Sequence, residues 1–397
     1  NNTILLLQQE DSSYIQVITY VINIMKKIVL TFILLLQFTG LCQLMAEEVV
    51  MDEPRQDIIV LRKDSWLFIP HAYYKPETQL AGGAVYLYTF QDTVMSIPPI
   101  KLRPSTLAVT ATYTQRQQFI FQVFPEFYLA RDKYHIKTDL EYMNYPDRFY
   151  GIGPDTEEHD WESYTAKIFS WRNRAERALW KRLYAGFIYN LDYREMVHTD
   201  DNGMLDAGEV EGNNGGFVSG VGISINYDTR DDTIYTRDGE YAHLKVVNHN
   251  EYIGSDFDFT SVSLDLRFYE PFFLSHVLAL QAYMSYIGGE APFFMLSWMG
   301  GPKLMRGLFE GRYRDRNMFV GQAEYRMPVI WRIAVVGFCS AGQVARSLDE
   351  FDSDNMVYTY GGGLRLKLKK EQDLNARLDF GFSRDFFGVY VTIGEAF

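Results

Sequence analysis

Leu374-Asn375-Ala376-Arg377-Leu378-Asp379-Phe380-Gly381-Phe382-Ser383 alternates apolar residues with polar or small ones without a break. Two other stretches keep the same rhythm. Leu364, Leu366 and Leu368 alternate with Arg365, Lys367 and Lys369, and Val262, Leu264, Leu266 and Phe268 with Ser261, Ser263, Asp265, Arg267 and Tyr269. Successive side chains on a strand point to opposite faces, so each segment builds one apolar and one polar face. A soluble sandwich contains such strands too. Full charges on the polar face, strand after strand, suit a wet lumen instead. Aromatic pairs near strand ends, Phe268-Tyr269 and Phe386-Phe387, suit the interfacial girdles of a membrane barrel.

Working outward, the same pattern places strands at 66–74, 83–90, 105–114, 118–128, 134–143, 163–173, 178–192, 217–228, 240–249, 258–269, 277–287, 318–328, 333–343, 357–369, 374–384 and 387–397. The expected fold is all-β: a transmembrane 16-stranded antiparallel β-barrel over 66–397. The long gaps 144–162, 193–216, 288–317 and 344–356 follow odd-numbered strands, which puts them outside the cell. Composition agrees. The 397 residues are 47% hydrophobic and 16% aromatic, and a net charge of -13 gives no basic footprint for nucleic acid. Two cysteines cannot build a disulfide framework, and Cys339 reads as structural.

Met25-Lys26-Lys27, the apolar run 28–38 and Leu44-Met45-Ala46 have the order of a secretory signal peptide over 25–46, too short to span a bilayer. Residues 1–24 read as upstream read-through and 47–65 as a short periplasmic lead. His198, Asp200, Asn202, Gly203 and Glu209 have calcium-loop spacing, but His replaces the first acid and no helix flanks them. No metal or cofactor is expected. With no Gly-x-Ser-x-Gly, His-Glu-x-x-His or phosphate loop, neither is an enzyme.

The longest outer connection contains Met305-Arg306-Gly307-Leu308-Phe309. Here the sequence resembles the BamA/TamA superfamily of outer-membrane insertases and translocases, also called the bacterial surface antigen family. That family carries an apolar-Arg-Gly-aromatic tip in its sixth outer loop; Leu308 stands at the aromatic position, with Phe309 next in line to replace it. Gly361-Gly362-Gly363-Leu364-Arg365 matches the wall motif Gly-x-Gly-apolar-Arg. Phe338-Cys339-Ser340-Ala341-Gly342 matches Phe-x-Asp-x-Gly, with Ser340 in place of Asp. Asp228-Thr229-Arg230-Asp231 with Gly239, Tyr74-Lys75-Pro76-Glu77-Thr78 and Phe397 also fit.

The resemblance implies that the sixth outer loop folds into the lumen and that Arg306 pairs with Glu324. The load lost at Ser340 would shift to Glu324 or Asp379. Arg306 then either pins the loop or takes part in opening the barrel. Val389, Val391, Ile393 and Phe397 resemble the family's C-terminal assembly signal. Pro70 in the first strand, and Gly388 and Gly394 in the last, mark a weak seam that suits lateral opening. Between Glu47 and Ser65 there is no room for a POTRA domain, so a barrel-only member is expected. It would sit in the outer membrane among its lipids, with client outer-membrane proteins and separate periplasmic partners. The competing reading is a passive structural barrel or plugged pore.

Overall fold

The alternating segments pair in sequence order. The chain, as a computed structural model, is described over 60–94, 100–233, 235–368 and 375–397. Among these residues sixteen wall strands run β1 (Val60–Lys75), β2 (Gln79–Val94), β3 (Ser105–Thr114), β4 (Phe119–Leu129), β5 (Tyr134–Phe149), β6 (Glu162–Trp180), β7 (Leu183–Thr199) and β8 (Gly215–Asp228). They continue with β9 (Gly239–His249), β10 (Phe259–Phe272), β11 (His276–Gly289), β12 (Asn317–Ile330), β13 (Ile333–Ala345), β14 (Val357–Lys367), β15 (Asn375–Phe382) and β16 (Phe387–Ile393). Each is antiparallel to its sequence neighbours, and β1 meets β16 to close the barrel. A two-stranded ribbon, Ser297–Met299 with Tyr313–Asp315, lies in the β11–β12 connection. No helix among the described residues is long and apolar enough to cross a membrane; here the strands do so.

The pleat sorts the side chains as the alternation requires. On β12, Gln322, Glu324 and Arg326 are buried while Tyr325 is 38% exposed. The long connections 150–161, 200–214, 290–316 and 346–356 share one end of the barrel, with short turns such as 181–182 and 331–332 at the other. The 200–214 and 290–299 segments meet in an apolar cluster that includes Leu205, Phe293 and Phe294.

Many strands run longer or shorter than the sequence reading, and three of these shifts matter for the wall and its seam. β6 runs on to Trp180, and the turn falls at 181–182, where Arg182 takes a left-handed φ of 62°. The expected gap at 174–177 is strand instead, with Arg174 and Glu176 on the polar face of β6. β1 begins at Val60, so 60–65 belong to the barrel rather than to the lead. The expected segments 1–24 and 25–46 lie outside the described residues, as does most of 47–65.

The third difference shapes the seam. The last strand, expected over 387–397, stops at Ile393 because Gly394 adopts φ 86°. The Gly394 N–H donates to the Asn375 carbonyl at 2.9 Å, and the chain turns inward. Glu395 accepts from Arg365 and Asn375 at 2.6 and 2.8 Å. Phe397 is buried near Tyr269, ring centroids 6.5 Å apart. It therefore does not share a face with the exposed Val391 and Ile393.

Candidate functional site

Loop 290–316 puts a guanidinium where three wall strands converge. Met305 and Gly307, with φ 58° and 105°, bend the tip, and the Leu308 N–H donates to the Met305 carbonyl at 3.2 Å. Gly307 approaches β15 so closely that a Cβ would stand 2.6 Å from the Phe382 backbone nitrogen. The bend points Arg306, 1% exposed, at the buried face of the wall. Its Nη2 donates to Glu324 Oε2 on β12 and its Nη1 to Asp379 Oδ2 on β15, both at 2.6 Å. The Phe338 ring on β13 lies 3.6 Å from the guanidinium carbon. A buried charge is tolerated only when paired and hydrogen-bonded, so these contacts are what allow the arginine to be there.

The acceptors are shared. Glu324 also takes Arg326 Nε at 2.7 Å and lies 3.5 Å from Arg365 Nη2. Asp379 also takes Arg365 Nη1, with Arg377 Nε 3.5 Å away. Arg377 reaches back to the loop, donating to the Pro302 carbonyl at 3.1 Å. Arg326 donates to the Phe397 carbonyl at 3.0 Å. Gly363 is required beside this cluster, since a Cβ there would meet Asp379 Oδ1. Gly342 makes room for Met305, whose sulfur would lie 2.6 Å from an added Cβ.

Ser340 is not a partner of Arg306. Its hydroxyl donates to Gln322 Oε1 at 3.3 Å, because the register sets Ser340 opposite Gln322 and Phe338 opposite Glu324. The second acceptor is Asp379. Leu308 joins Met299, Met305, Met318 and Val320 in an apolar cluster. Phe309, 2% exposed, lies 5.8 Å from the Tyr150 ring with the Arg148 guanidinium 5.0 Å over its face.

Past the tip, the loop crosses the seam. The Gly307 N–H donates to the Tyr390 hydroxyl of β16, and that hydroxyl donates to the Leu308 carbonyl, each at 3.1 Å. Three residues on, the Glu310 N–H donates to Glu77 Oε1 in the β1–β2 turn at 2.8 Å, and Lys75 Nζ lies 3.8 Å from Glu310. Glu77 is 2% exposed and its second oxygen has no hydrogen-bond partner. Burial, with Glu310 alongside, pushes its carboxyl up to about 7.

Beneath this clasp the seam itself is slight. β1 and β16 share one paired position, Tyr74↔Val391. Pro70 faces Ala84 within the β1–β2 ladder. Gly388 faces Gly381 in the β15–β16 ladder and makes room for the Tyr390 hydroxyl, 2.5 Å from where a Cβ would stand. Gly394, with φ 86°, lies just past the end of β16.

Sequence reasoning missed the outer ties. Arg312 donates from Nε to Glu158 and from Nη1 and Nη2 to Thr156, each at 2.6 Å, fixing the loop to the 150–161 connection. No cluster that could hold a metal occurs among the described residues, and Asp200 instead accepts the Ser163 N–H at 2.6 Å.

A closed barrel with a long outer loop held by a buried arginine defines an outer-membrane-type β-barrel of the kind the loop motif resembles. Residues 103–385 match the Omp85 superfamily domain, and the chain belongs to that superfamily. BamA from Haemophilus ducreyi lacking POTRA domains 1–3 is similar at 13% identity and a TM-score of 0.55, over 84% of this chain and 70% of that one. CdiB from Acinetobacter baumannii is similar at 11% identity and 0.50, over 85% and 65%. CdiB from Escherichia coli follows at 11% and 0.49, over 86% and 63%. The chain spans less than two thirds of either CdiB, and the likeness to BamA and to the Acinetobacter CdiB is one of fold. No curated protein matches.

Proposed function

We propose that this chain inserts or translocates protein or lipid at the outer membrane by parting β1 from β16. In this reading the buried polar face lines a lumen and the 290–316 loop folds into it, clasping the outer end of the seam. The single pair Tyr74↔Val391 carries the reading. Membership of the Omp85 superfamily supports the membrane and the class of work. Arg306 then has a role beyond pinning: its network positions the residues, Gly307 to Glu310, that bridge Tyr390 and Glu77. Client outer-membrane proteins and separate periplasmic partners belong to this proposal, and a catalytic step does not.

A passive plugged barrel is the second reading. It is favoured by the apolar cluster of Leu205, Phe293 and Phe294, which packs one outer connection against another. The two separate in a strain lacking the protein, assayed for outer-membrane protein and lipid composition. Complementation with Tyr74→Cys and Val391→Cys, on a Cys339→Ser background, places a disulfide across the only paired position of the seam; facing residues of an antiparallel pair lie within disulfide reach. The oxidised barrel should fail to complement and recover on reduction. Full activity in the demonstrably crosslinked protein would leave the passive barrel.

A further inference from the structure

We propose that the seam passes a membrane lipid, its acyl chain seated on an apolar strip on the lumen side of β1–β4; this rests on the opening of β1 from β16. Two adjacent rows of facing residues make the strip. Leu67 pairs with Leu87, Leu87 with Ala108 and Ala108 with Phe124; beside them Ile69 pairs with Val85, whose other partner is Thr110. On β4 the strip is bounded by Gln122 and Glu126, on either side of Phe124, and beyond it this face is charged. Glu126 and, from β6, Glu176 flank His135 of β5 at 2.8 and 3.0 Å, and Arg172 of β6 pairs with Asp192 of β7 at 2.7 Å. The apolar strip is therefore a local feature, and it adjoins the seam.

On the opposite face of β1, Trp66 and Phe68 are 72% and 60% exposed. With Val391 opposite Tyr74, continued register brings Ile393 to Ala72, where β16 ends. Positions 66–69 thus have no strand on that edge among the described residues. The lipid-facing surface at Trp66 and Phe68 runs around one bare edge to Leu67 and Ile69.

The bare edge and the strip make different demands. Unpaired N–H and C=O groups require a polar partner, whereas the strip requires an apolar one. A client strand of an outer-membrane barrel would satisfy the edge. Its lumen-side residues are polar, however, and would sit beside Leu67 and Ile69 unpaired. An amphiphile meets both demands, with its head group at the edge and its chain on the strip.

The test places a benzophenone amino acid in the intact protein in cells at Leu67, at Phe68 on the lipid side, and at Ser263 on the charged side of the lumen. Folding is checked by heat-modifiable gel migration. After irradiation, mass spectrometry should find phospholipid adducts at Leu67 and Phe68 and none at Ser263. Locking the seam through the cysteines at Tyr74 and Val391 should reduce the Leu67 adduct several-fold and leave Phe68 unchanged. Protein adducts at Leu67 that vanish on locking would overturn the lipid assignment while leaving the opening intact. Equal lipid labelling at Leu67 in the locked barrel would overturn passage through the parted seam, because the lipid would then reach the strip around the standing edge at 66–69. No adduct at Leu67 beside a labelled Phe68 would overturn the strip as a lipid site.

Discussion

β16 has two neighbours and treats them differently. Against β15 its ladder is continuous from Phe382↔Phe387 to Ala376↔Ile393, and side chains reinforce it, with Arg377 Nε donating to Thr392 at 2.8 Å. Against β1 it offers one pair, near the outer end. The contrast has a local cause. Gly394 turns the chain inward just where β1 still has a long stretch of free edge, and Glu395 finds partners on β14 and β15 and Phe397 one on β12 instead. Backbone pairing lost at the seam is partly replaced by the loop, which touches both sides of it. A barrel built this way has a continuous ladder between β15 and β16 and a single backbone pair where it closes.

The largest effect should come from the hub. Arg306→Ala leaves Glu324 and Asp379 sharing fewer counter-charges in a buried site; breaking such a pair typically costs about 3–5 kcal/mol. Unfolding in detergent and heat-modifiable gel mobility should both register the loss. Asp379→Asn should cost less, because Arg306 keeps Glu324. The double mutant should be clearly non-additive; additive losses would mean that the loop is held elsewhere and that the contrast between hub and seam is wrong.

Gly307→Ala ranks next. It forces an L side chain to φ 105° against the Phe382 backbone, and strain of this kind costs about 1–3 kcal/mol. Protease added to intact cells should cut 290–316 faster in this variant, with the wall strands unchanged. An unchanged rate would show that β15 can give way.

The clasp at the seam should depend on pH. Glu77 holds its proton up to about 7 when the loop is docked. An undocked carboxyl ionises near 4.5, so docking strengthens as pH falls through 7 and levels off below the ordinary value. Lys75, Glu310 and Tyr390 face the group. Spin labels on the loop and on β1 should report tighter docking at pH 6 than at pH 8, and Glu77→Gln should flatten the difference. Smallest of all, Ser340→Ala removes one hydrogen bond of 3.3 Å and should cost no more than about 0.5–1.5 kcal/mol. A loss comparable to that of Arg306→Ala would restore Ser340 as an anchor.

The wall was readable from sequence because period two is written into every strand. Ser105–Thr114 coincides with its expected bounds, and Glu324 falls on the expected face. The gap expected at 174–177 was wrong: Arg174 and Glu176 sit inside β6 and meet partners on other strands. The sequence named Glu324 or Asp379 to take the load lost at Ser340; that Arg306 uses both was not legible, because it depends on which row of facing residues the loop tip reaches. The ties through Glu77, Glu158 and Thr156 lie in turns, which have no period to read. Phe397 looked like one more outward residue of an alternating strand, and the left-handed Gly394 turned it inward.

Hydrogen exchange along β1 tests the seam most directly. Amides of 60–72 that face β2 should be protected, and those on the other edge should exchange close to the unprotected rate. Facing amides on both edges of β2 and β15 should exchange slowly. An alternating pattern confined to β1, spreading towards Tyr74 in Arg306→Ala, is the predicted result. Uniform protection of β1, equal to that of β15, would contradict an open seam clasped by the loop.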